Sequence, residues 1–384
     1  MNTAYVHTGL WPSNSPSITF STMTAAALAD LGECRFYIKK NSREKDSSVF
    51  RNVFGFDLPE GLRIKDPGRG GLFFTNKLFF RRTASEIINA AQSGEVDAVI
   101  SRNPGFLPSL YRIKKETGIP VFYETHDFFG EPKKRYEGRV PAKSLKWKDN
   151  EKKYFPLISG IICLHETQKR KISEHYPDIS FFTARTGLVI KPEKRPPPVR
   201  KKKLIYTGSF DAHKGVALFL RAAALSESAP DIVLAGGKTP DEVRAANVLA
   251  AELYDSRKVT VTGWLDKTSL RNIMDECSAG VLPLEDTYFN RYLTSPLKLF
   301  DYYEALLPVI ASDLDSLREL TFGGKTGILF SPGKEEGLAA AFDSFFSAEN
   351  TAKRAVSFIR NIQEDLSWRT RAQKIRDIIK ENTD

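Results

Sequence analysis

The feature that most constrains the fold is a regular alternation of two kinds of segment along the 384 residues. Short runs rich in β-branched and aromatic residues alternate with stretches of helical periodicity over nearly the whole chain. Strands separated by helices form βαβ units, whose strands lie parallel in a sheet. The sequence therefore predicts an α/β protein. Because one domain averages about 150 residues, we expect two domains.

The predicted strands form two sets, one in each half of the sequence. Each strand is a short apolar run bounded by polar, glycine or proline residues, as in buried parallel sheets. The first set is 4–8, 35–39, 98–101, 121–125, 160–164 and 179–183, and the second is 204–209, 232–236, 259–263, 280–284, 309–312 and 327–330. Two Rossmann-like domains are expected, with a ligand cleft at the C-terminal edges of their sheets.

A segment rich in proline and basic residues separates the two sets of strands. Residues 189–203 contain four prolines and end on four consecutive basic residues. Prolines stiffen such a segment and like charges extend it. We predict an N-terminal domain at 1–188, a linker at 189–203, a C-terminal domain at 204–365, and a terminal helix at 366–384 that returns to the N-terminal domain.

The positive charge is concentrated in the first half of the chain. The net charge is +10, and residues 1–185 carry 29 basic and 20 acidic side chains. Basic residues interleave with aromatic ones at 69–82, and a second basic cluster covers 133–153. This pattern indicates an anionic partner, which we expect to be a membrane face or a lipid-linked or polyanionic acceptor. An ordinary amphipathic helix with a solvated basic face is the alternative. Nucleic acid is not expected, because no recognised binding module accompanies the charge.

The remaining composition indicates a cytoplasmic protein. Cys34, Cys163 and Cys277 have no metal-ligand spacing and are expected to be reduced core residues. No apolar run reaches the roughly 18 residues of a membrane-spanning helix. The first basic residue is Arg35, so no signal peptide is predicted. We expect a cytoplasmic location, with peripheral binding to the inner face of the membrane through the basic half.

The first candidate ligand site is the turn that follows the strand at 204–209. Gly208 and Ser209 end this strand, and Lys214 and Gly215 precede a helix. A glycine lets an anion approach the backbone, and a lysine near a helix start neutralises phosphate. Lys214 is therefore the leading phosphate ligand, and an ordinary βα turn with a solvated lysine is the alternative.

The second candidate is a helix that precedes the apolar strand at 309–312. Ser295 is the predicted N-cap and Pro296 the first helical residue, so the free amides near Leu297 and Lys298 are expected to face the cleft. Asp301 shares a helix face with Leu297, roughly 6 Å further along the axis at about 1.5 Å per residue. That position suits a carboxylate that binds sugar hydroxyls, and a solvated helical acid is the alternative.

These segments resemble, in order, the C-terminal half of GT-B glycosyltransferases of glycosyltransferase family 4. The resemblance covers 208–215, 259–284 and 295–313, and extends more weakly into the first half. It implies that Lys214 holds a donor diphosphate and that Asp301 occupies the place of a glutamate bonded to the ribose. It also implies that the loop of Gly263, Trp264 and Leu265 holds the nucleotide base. For the tryptophan, a core position is the alternative.

In the first half, His126 follows the apolar strand at 121–125. The resemblance implies that a histidine here lies close to the donor sugar, and a structural histidine is the alternative. The loop after the first strand is expected to face the same cleft and to contact donor sugar or acceptor. Its candidate residues are Gly9, Trp11, Asn14 and Ser15.

The sequence also departs from the family pattern. The place of the family's first glutamate is Leu293, the usual arginine after the turn glycine is Ser209, and the glycine before the apolar strand is Leu306. Similar Ser-Pro-x-Lys variants occur among envelope-polysaccharide enzymes of the family, so Lys298 is expected to supply the charge of the absent arginine.

No metal ion is expected. Asp313 and Asp315 match the Asp-x-Asp with which GT-A glycosyltransferases hold a divalent cation, but this two-residue match lies inside the segment that resembles GT-B. In GT-B enzymes lysine, arginine and helix amides are expected to replace the metal.

The resemblance implies a retaining glycosyltransferase that moves a sugar from a nucleotide-diphosphate sugar to an acceptor hydroxyl in cell-envelope polysaccharide or glycoconjugate synthesis. His126, Lys214 and Asp301 are its candidate catalytic residues. Two alternatives stay open. A nucleotide-sugar epimerase of the same fold needs no acceptor, and a non-catalytic subunit binds nucleotide sugar without turnover, which the leucine at 293 would suit.

Overall fold

The computed structural model describes residues 1–13, 15–42, 44–68, 75–136, 140–190, 202–211, 214–237 and 239–383. The chain forms two compact units. Unit 1 is Met1–Gly187 together with Leu366–Asp384, and unit 2 is Leu188–Asp365. Most of the predicted linker, 191–201, lies outside the described residues.

Unit 1 is built on a sheet of seven parallel strands. These are β1 Thr3–Trp11, β2 Cys34–Lys40, β3 Leu62–Lys65, β4 Ala98–Ser101, β5 Val121–Glu124, β6 Gly160–Cys163 and β7 Phe181–Thr183. They lie in the order β3-β2-β1-β4-β5-β6-β7. The strands β4, β5 and β6 are buried along their whole length, as expected of a parallel sheet covered on both faces. The chain winds outwards in both directions from β1 and β4, so the topological switch point lies between these two strands.

Unit 2 contains a second parallel sheet of six strands. These are β8 Lys203–Gly208, β9 Asp231–Gly236, β10 Val259–Gly263, β11 Ala279–Leu282, β12 Val309–Ser312 and β13 Gly327–Phe330. They lie in the order β10-β9-β8-β11-β12-β13. Here the switch point lies between β8 and β11. The turn predicted to bind phosphate directly follows β8, and the predicted ligand-binding helix lies in the connection between β11 and β12.

Helices connect the strands of both sheets. In chain order they are α1 Pro16–Ala29, α2 Asp46–Phe54, α3 Asn76–Gln92, α4 Leu107–Thr117, α5 Pro132–Tyr136, α6 Ala142–Tyr154, α7 Glu166–Ser173, α8 Val216–Leu225, α9 Pro240–Leu253, α10 Lys267–Asp275, α11 Tyr288–Tyr292, α12 Leu297–Glu304, α13 Asp315–Leu320, α14 Glu335–Ser347, α15 Glu349–Ile362 and α16 Trp368–Lys380. In unit 1, α3 packs against α4, α4 against α6, and α1 against α16; in unit 2, α8 packs against α14. The last helix therefore returns to unit 1, as predicted.

The α/β prediction with two parallel sheets is confirmed, and each of the twelve predicted strands overlaps an observed one. The strand β3 was not predicted. Its four residues, Leu-Arg-Ile-Lys, hold only two apolar side chains, and it lies at the sheet edge, where one side of the strand needs no partner. No helix within the described residues is long and apolar enough to cross a membrane.

Candidate functional site

In unit 2, the backbone at the end of β8 adopts a conformation and a close packing that favour glycine. Gly208 has φ +116°, and a Cβ atom on Gly236 of the neighbouring strand β9 would lie 1.8 Å from the Gly208 carbonyl oxygen. Further along, Gly215 has φ +75°, and a Cβ there would lie 1.8 Å from the carbonyl oxygen of Pro283. The glycines therefore bring the turn after β8 close to its neighbours and leave its backbone without covering side chains.

The helix α12 is fixed beside this turn by its tyrosines. The buried Tyr302 hydroxyl lies 3.1 Å from the Thr207 amide nitrogen on β8, and the amide donates the hydrogen bond. The Tyr302 ring also covers Gly280 on β11, where a Cβ would lie 2.4 Å from a ring carbon. Because Lys298 lies one turn before Tyr302, this anchoring brings the lysine to the end of β8.

The helix starts one residue later than predicted. Its first residue is Leu297, and its N-cap is Pro296, with φ −72° and ψ 123° and no side-chain capping bond. The prediction of Ser295 as N-cap and Pro296 as first helical residue was wrong by one position. Proline satisfies the geometry of either position, since its φ is fixed near −65°. The amides of the first turn have no partner within the helix, so they remain a favourable place for an anion.

Lys298 has the most unusual environment of the candidate residues in unit 2. Its Nζ lies 3.6 Å from the centroid of the Tyr206 ring, and a Cβ on Gly208 would lie 3.2 Å from it. This buried atom has no hydrogen-bond partner among the described residues. Burial lowers the pKa of Lys298 well below its ordinary value, and Lys214 lowers it further, against opposing effects of Asp301 and Asp211. An anion bound here would supply the missing partner.

Lys214 and Ser209 lie on the same turn. Lys214 is half-buried, and its amide donates to the Asp211 carbonyl oxygen at 2.9 Å. Ser209 Oγ lies 2.6 Å from Asp211 Oδ2 and donates to it. Lys214 acts electrostatically on Lys298, although the two lysines lie 84 positions apart in the sequence.

Asp301 lies on α12 three residues after Lys298 and is partly buried. Burial, with a smaller contribution from nearby Glu304, raises the pKa of Asp301 to about 6 against the opposing effects of Lys267 and Lys298. The carboxylate is therefore mostly ionised at neutral pH and can accept hydrogen bonds from hydroxyl groups.

The loop after β10 presents a large aromatic surface. Trp264 is 51% exposed, so it is not a core residue. It follows Gly263, whose φ is +72°, and precedes the half-buried Leu265. An exposed indole offers a flat face on which a nucleotide base can stack.

The departures from the family pattern have distinct structural outcomes. Leu293 is buried, so it places a hydrocarbon where the family carries its first carboxylate. Leu306 has φ +52°, a left-handed conformation that explains why a glycine suits this position. Asp313 is paired with Arg318, and Asp315 with Arg291. In the described part of the chain, no group of three His, Cys, Asp or Glu residues could hold a metal ion.

In unit 1, His126 follows β5 near the C-terminal edge of the sheet. Its Nε2 lies 3.5 Å from Glu124 Oε2, and its ring meets the ring of Phe20 edge-on at 4.6 Å. Burial lowers the pKa of His126 well below its ordinary value, and Arg102 and the nearby His7 lower it further. The imidazole is therefore neutral at pH 7. Since a carboxylate only accepts, the geometry favours a proton on Nε2 and leaves Nδ1 as an acceptor.

The other candidates of unit 1 have mainly structural contacts. Gly9 and Trp11 lie within β1 rather than in a loop, because the strand continues to residue 11. The Trp11 indole is 2% exposed, stacks on Phe54 and donates from Nε1 to Asp46. Ser15 is the N-cap of α1 and accepts from the Ile18 amide. Asn14 lies outside the described residues.

A buried polar cluster in unit 1 was missed by sequence reasoning. Glu124 is fully buried at the end of β5, and it accepts from the Tyr5 hydroxyl and forms an ion pair with Arg371 of α16. Arg371 also donates to the carbonyl oxygens of Ala184 and Arg185. The available signal was a glutamate that ends an apolar strand and an arginine within the apolar periodicity of the terminal helix.

Residues 201–347 match the sequence family described as Glycosyl transferases group 1. No curated protein sequence is significantly similar to the chain. Solved structures are similar over almost its whole length. Sucrose-phosphate synthase from Thermosynechococcus elongatus is 16% identical with a TM-score of 0.72, and the match covers 99% of this chain and 98% of that one. The chain has the GT-B fold.

Two further structures support this assignment of the fold. HepE from Anabaena, in complex with UDP and glucose, is 13% identical with a TM-score of 0.73, and the match covers 99% of this chain and all of that one. The lipopolysaccharide outer core galactosyltransferase WaaB is 15% identical with a TM-score of 0.69 and 99% coverage of both chains. These similarities extend to both units.

Proposed function

We propose that the protein is a retaining glycosyltransferase of family 4 type that transfers a sugar from a nucleotide-diphosphate sugar to an acceptor hydroxyl. One observation carries the proposal. Lys298 Nζ is buried over the Tyr206 ring without a hydrogen-bond partner in the described residues, at the start of α12 and in the field of Lys214. A buried cation without an anion is costly, so its retention is best explained by a ligand that carries negative charge.

The proposed chemistry breaks the bond between the anomeric carbon of the sugar and a phosphate oxygen. The electron pair of that bond leaves with the nucleoside diphosphate, whose negative charge therefore increases in the transition state. Lys214, Lys298 and the first-turn amides of α12 stabilise this charge, and they take the part that a metal ion plays in other glycosyltransferases. Lys298 acts here in place of the arginine that Ser209 replaces, as in the Ser-Pro-x-Lys variant.

Other residues orient the donor. Asp301, which is mostly ionised at neutral pH, is proposed to accept hydrogen bonds from the ribose. Trp264 stacks on the base, which its 51% exposure supports. His126, neutral and with Nδ1 as an acceptor, is proposed to bind a hydroxyl of the transferred sugar. We assign no general base, because the leaving phosphate can take the acceptor proton in a retaining mechanism.

We also propose a peripheral membrane location and a role in cell-envelope synthesis, supported by the helices α3 and α6 of unit 1, both of which pack against α4. On α6, Lys143 and Lys146 are exposed beside Leu145, which is 48% exposed; on α3, Lys77 lies next to Leu78, which is 38% exposed. Such mixed basic and apolar surfaces bind anionic lipid. Sedimentation with anionic but not with neutral vesicles is expected, and equal sedimentation with both would contradict this part of the proposal.

The first test is calorimetric titration of UDP, GDP and ADP into the wild-type protein and Lys214→Ala, first without metal and then with magnesium or manganese. One nucleotide is expected to bind without metal, and the substitution is expected to weaken it by at least about tenfold, or about 1.4 kcal/mol. Binding that requires metal would contradict the proposed role of the lysines and would favour Asp313 and Asp315.

Product analysis then separates three outcomes with sugars of the nucleotide that binds. Transfer with retention is the expected result and is read from the anomeric configuration of the product. An epimerised nucleotide sugar without any acceptor would show an isomerase. Binding without turnover would show a non-catalytic subunit, an alternative that the buried Leu293 in place of the first family carboxylate favours.

A further inference from the structure

We propose that unit 1 recognises an acceptor through a single negatively charged group, a phosphate or a carboxylate, which binds to Arg102. This inference rests on the proposed function and specifies its acceptor class. It starts from the switch point of the first sheet, between the parallel strands β1 and β4, where open α/β sheets bind their ligands. Arg102 directly follows β4 at this point.

The hydrogen bonds of Arg102 use only neutral acceptors. Its Nη1 donates to the Ser17 carbonyl oxygen at 3.0 Å and to Ser21 Oγ at 3.3 Å, both on α1. Its Cζ lies 4.8 Å from the centroid of the Phe20 ring. No carboxylate of the described residues forms an ion pair with it, and its Nε and Nη2 groups donate to no described atom. The Nε and Nη2 groups of this guanidinium can therefore donate hydrogen bonds to a further partner.

The groups around Arg102 do not neutralise it through an ion pair. The nearby carboxylate, Glu124, is already paired with Arg371, whose guanidinium lies on the same Phe20 ring at 4.8 Å. The two adjacent imidazoles carry no charge at neutral pH: burial, aided by Arg102, lowers the pKa of His7 to about 3 and that of His126 well below its ordinary value. Glu124 is therefore taken by Arg371, and Arg102 has no carboxylate partner within the described residues.

The guanidinium group of Arg102 favours a particular class of ligand. A guanidinium binds a carboxylate or phosphate through two parallel hydrogen bonds, whereas an uncharged hydroxyl uses only one. The neutral His7 and His126 can accept or donate to hydroxyl groups beside the anion. The first turn of α1, which Arg102 contacts, contains no acidic residue that would repel the ligand. An anionic sugar, such as a sugar phosphate or a uronic acid, fits this set of groups.

The alternative is that Arg102 only fastens α1 to β4. A structural arginine would affect unfolding but would not distinguish anionic from neutral sugars. The test therefore measures calorimetric affinities of the full chain for three probes of one ring shape, glucose, glucuronate and glucose 6-phosphate. At least one anionic probe is expected to bind about tenfold or more tightly than glucose. Arg102→Gln is expected to abolish this preference, and Arg102→Lys to retain part of it.

Arg112→Gln is the matched control. Arg112 is exposed on α4 and paired with Glu116, so its substitution is expected to leave all three affinities unchanged. Thermal unfolding of each variant establishes that it is folded before binding is compared. If Arg102→Gln unfolds, the preference of Arg102→Lys decides: a partial or complete loss of anion preference supports the inference, and an unchanged preference contradicts it.

Two results would overturn the inference. Equal affinities of the wild-type protein for the three probes would show that no anion is recognised. Loss of glucose 6-phosphate binding in Lys298→Met, with unchanged binding in Arg102→Gln, would place the anion in the diphosphate site of unit 2. Binding of nucleoside diphosphate is measured in the same samples and depends on Lys298, so failure of the proposed donor site is distinguished from failure of the acceptor inference.

Discussion

Each unit contains a buried cation, and the two differ in their partners. Arg371 of unit 1 pairs with Glu124 and donates to two backbone carbonyl oxygens. Lys298 of unit 2 lies over an aromatic ring, and no described atom accepts a hydrogen bond from it. Burial alone is therefore a poor guide to function. A buried cation whose partners lie within the protein holds the fold together, whereas one without them indicates a ligand.

The difference also explains where each cation lies. Arg371 joins three segments of unit 1: the end of β5, the chain at residues 184–185 and the returning helix α16. Lys298 instead lies at the C-terminal end of β8, where glycines leave the backbone uncovered. The ion pair of Arg371 stabilises unit 1 before any ligand is present. The buried ammonium of Lys298 instead destabilises the free protein, and a bound diphosphate would remove this unfavourable contribution.

The largest expected effect is loss of the ion pair in unit 1. Arg371→Met leaves Glu124 buried without its charged partner, so the free energy of unfolding is expected to fall by about 3–5 kcal/mol. Denaturant titration measures this change. Arg369→Met, at an exposed position of the same helix, is the control and is expected to change it by less than about 0.5 kcal/mol. An equal change in the free energy of unfolding for the two variants would contradict the structural role given to Arg371.

Two tryptophans test whether the same contrast between a ligand-binding residue and a structural residue holds for an uncharged side chain. Trp264→Ala is expected to weaken nucleoside diphosphate binding by about 1–3 kcal/mol without lowering stability, because an exposed indole loses only its stacking on the base. Trp11→Ala removes an indole packed against Phe50 and Phe54, so a loss of stability of about 3–5 kcal/mol is expected. Calorimetry and thermal unfolding measure the two effects. Unchanged nucleotide affinity in Trp264→Ala would remove this residue from the site.

Substitution of Lys298 is expected to change the stability of the free protein less, and to increase it rather than lower it. Lys298→Met removes a group whose ionisation burial disfavours, so the apoprotein is expected to gain on the order of 1 kcal/mol of stability at neutral pH. The folded-state pKa is lowered, so the unfolded chain binds the extra proton and wild-type stability rises with pH. The gain is therefore expected to shrink as the pH approaches the ordinary lysine pKa. A destabilised Lys298→Met protein would show a structural role instead.

The smallest effect is a fractional proton taken up with the ligand. A diphosphate favours the charged form of Lys298, so the pKa of this lysine rises on binding, and affinity is expected to fall as the pH rises above the lowered pKa of the free protein. Calorimetry in buffers of different ionisation enthalpy measures the uptake. Lys298→Arg stays charged and is expected to bind with less proton uptake. Equal uptake in both proteins would assign the proton to another group.

The sequence predicts the sheets well because each buried parallel strand is a continuous apolar run, such as the one at residues 309–312. It does not predict β3, whose alternation of two apolar and two basic residues carries too little signal at an edge. The start of α12 was misplaced by one residue, since Pro296 fits either the cap or the first turn.

Residues of the candidate site can be proposed from the sequence where they are close together in the chain. Gly208 and Lys214 belong to one turn, and Lys298 and Asp301 to one helix, so their spacing carries information. The pairing of Glu124 with Arg371 joins positions 247 residues apart and is visible only after folding. The absence of a hydrogen-bond partner for Lys298 within the described residues is likewise a property of the tertiary structure.

The measurement that tests the central claim most directly is the affinity of Lys298→Met for UDP, GDP and ADP, compared with the wild-type protein and with Lys334→Met, an exposed lysine of unit 2. We predict that one nucleotide binds wild type and Lys334→Met equally without metal, and that Lys298→Met binds it at least about 30-fold more weakly, or about 2 kcal/mol. Equal affinity of all three proteins would contradict the claim that the buried lysine of unit 2 awaits a diphosphate.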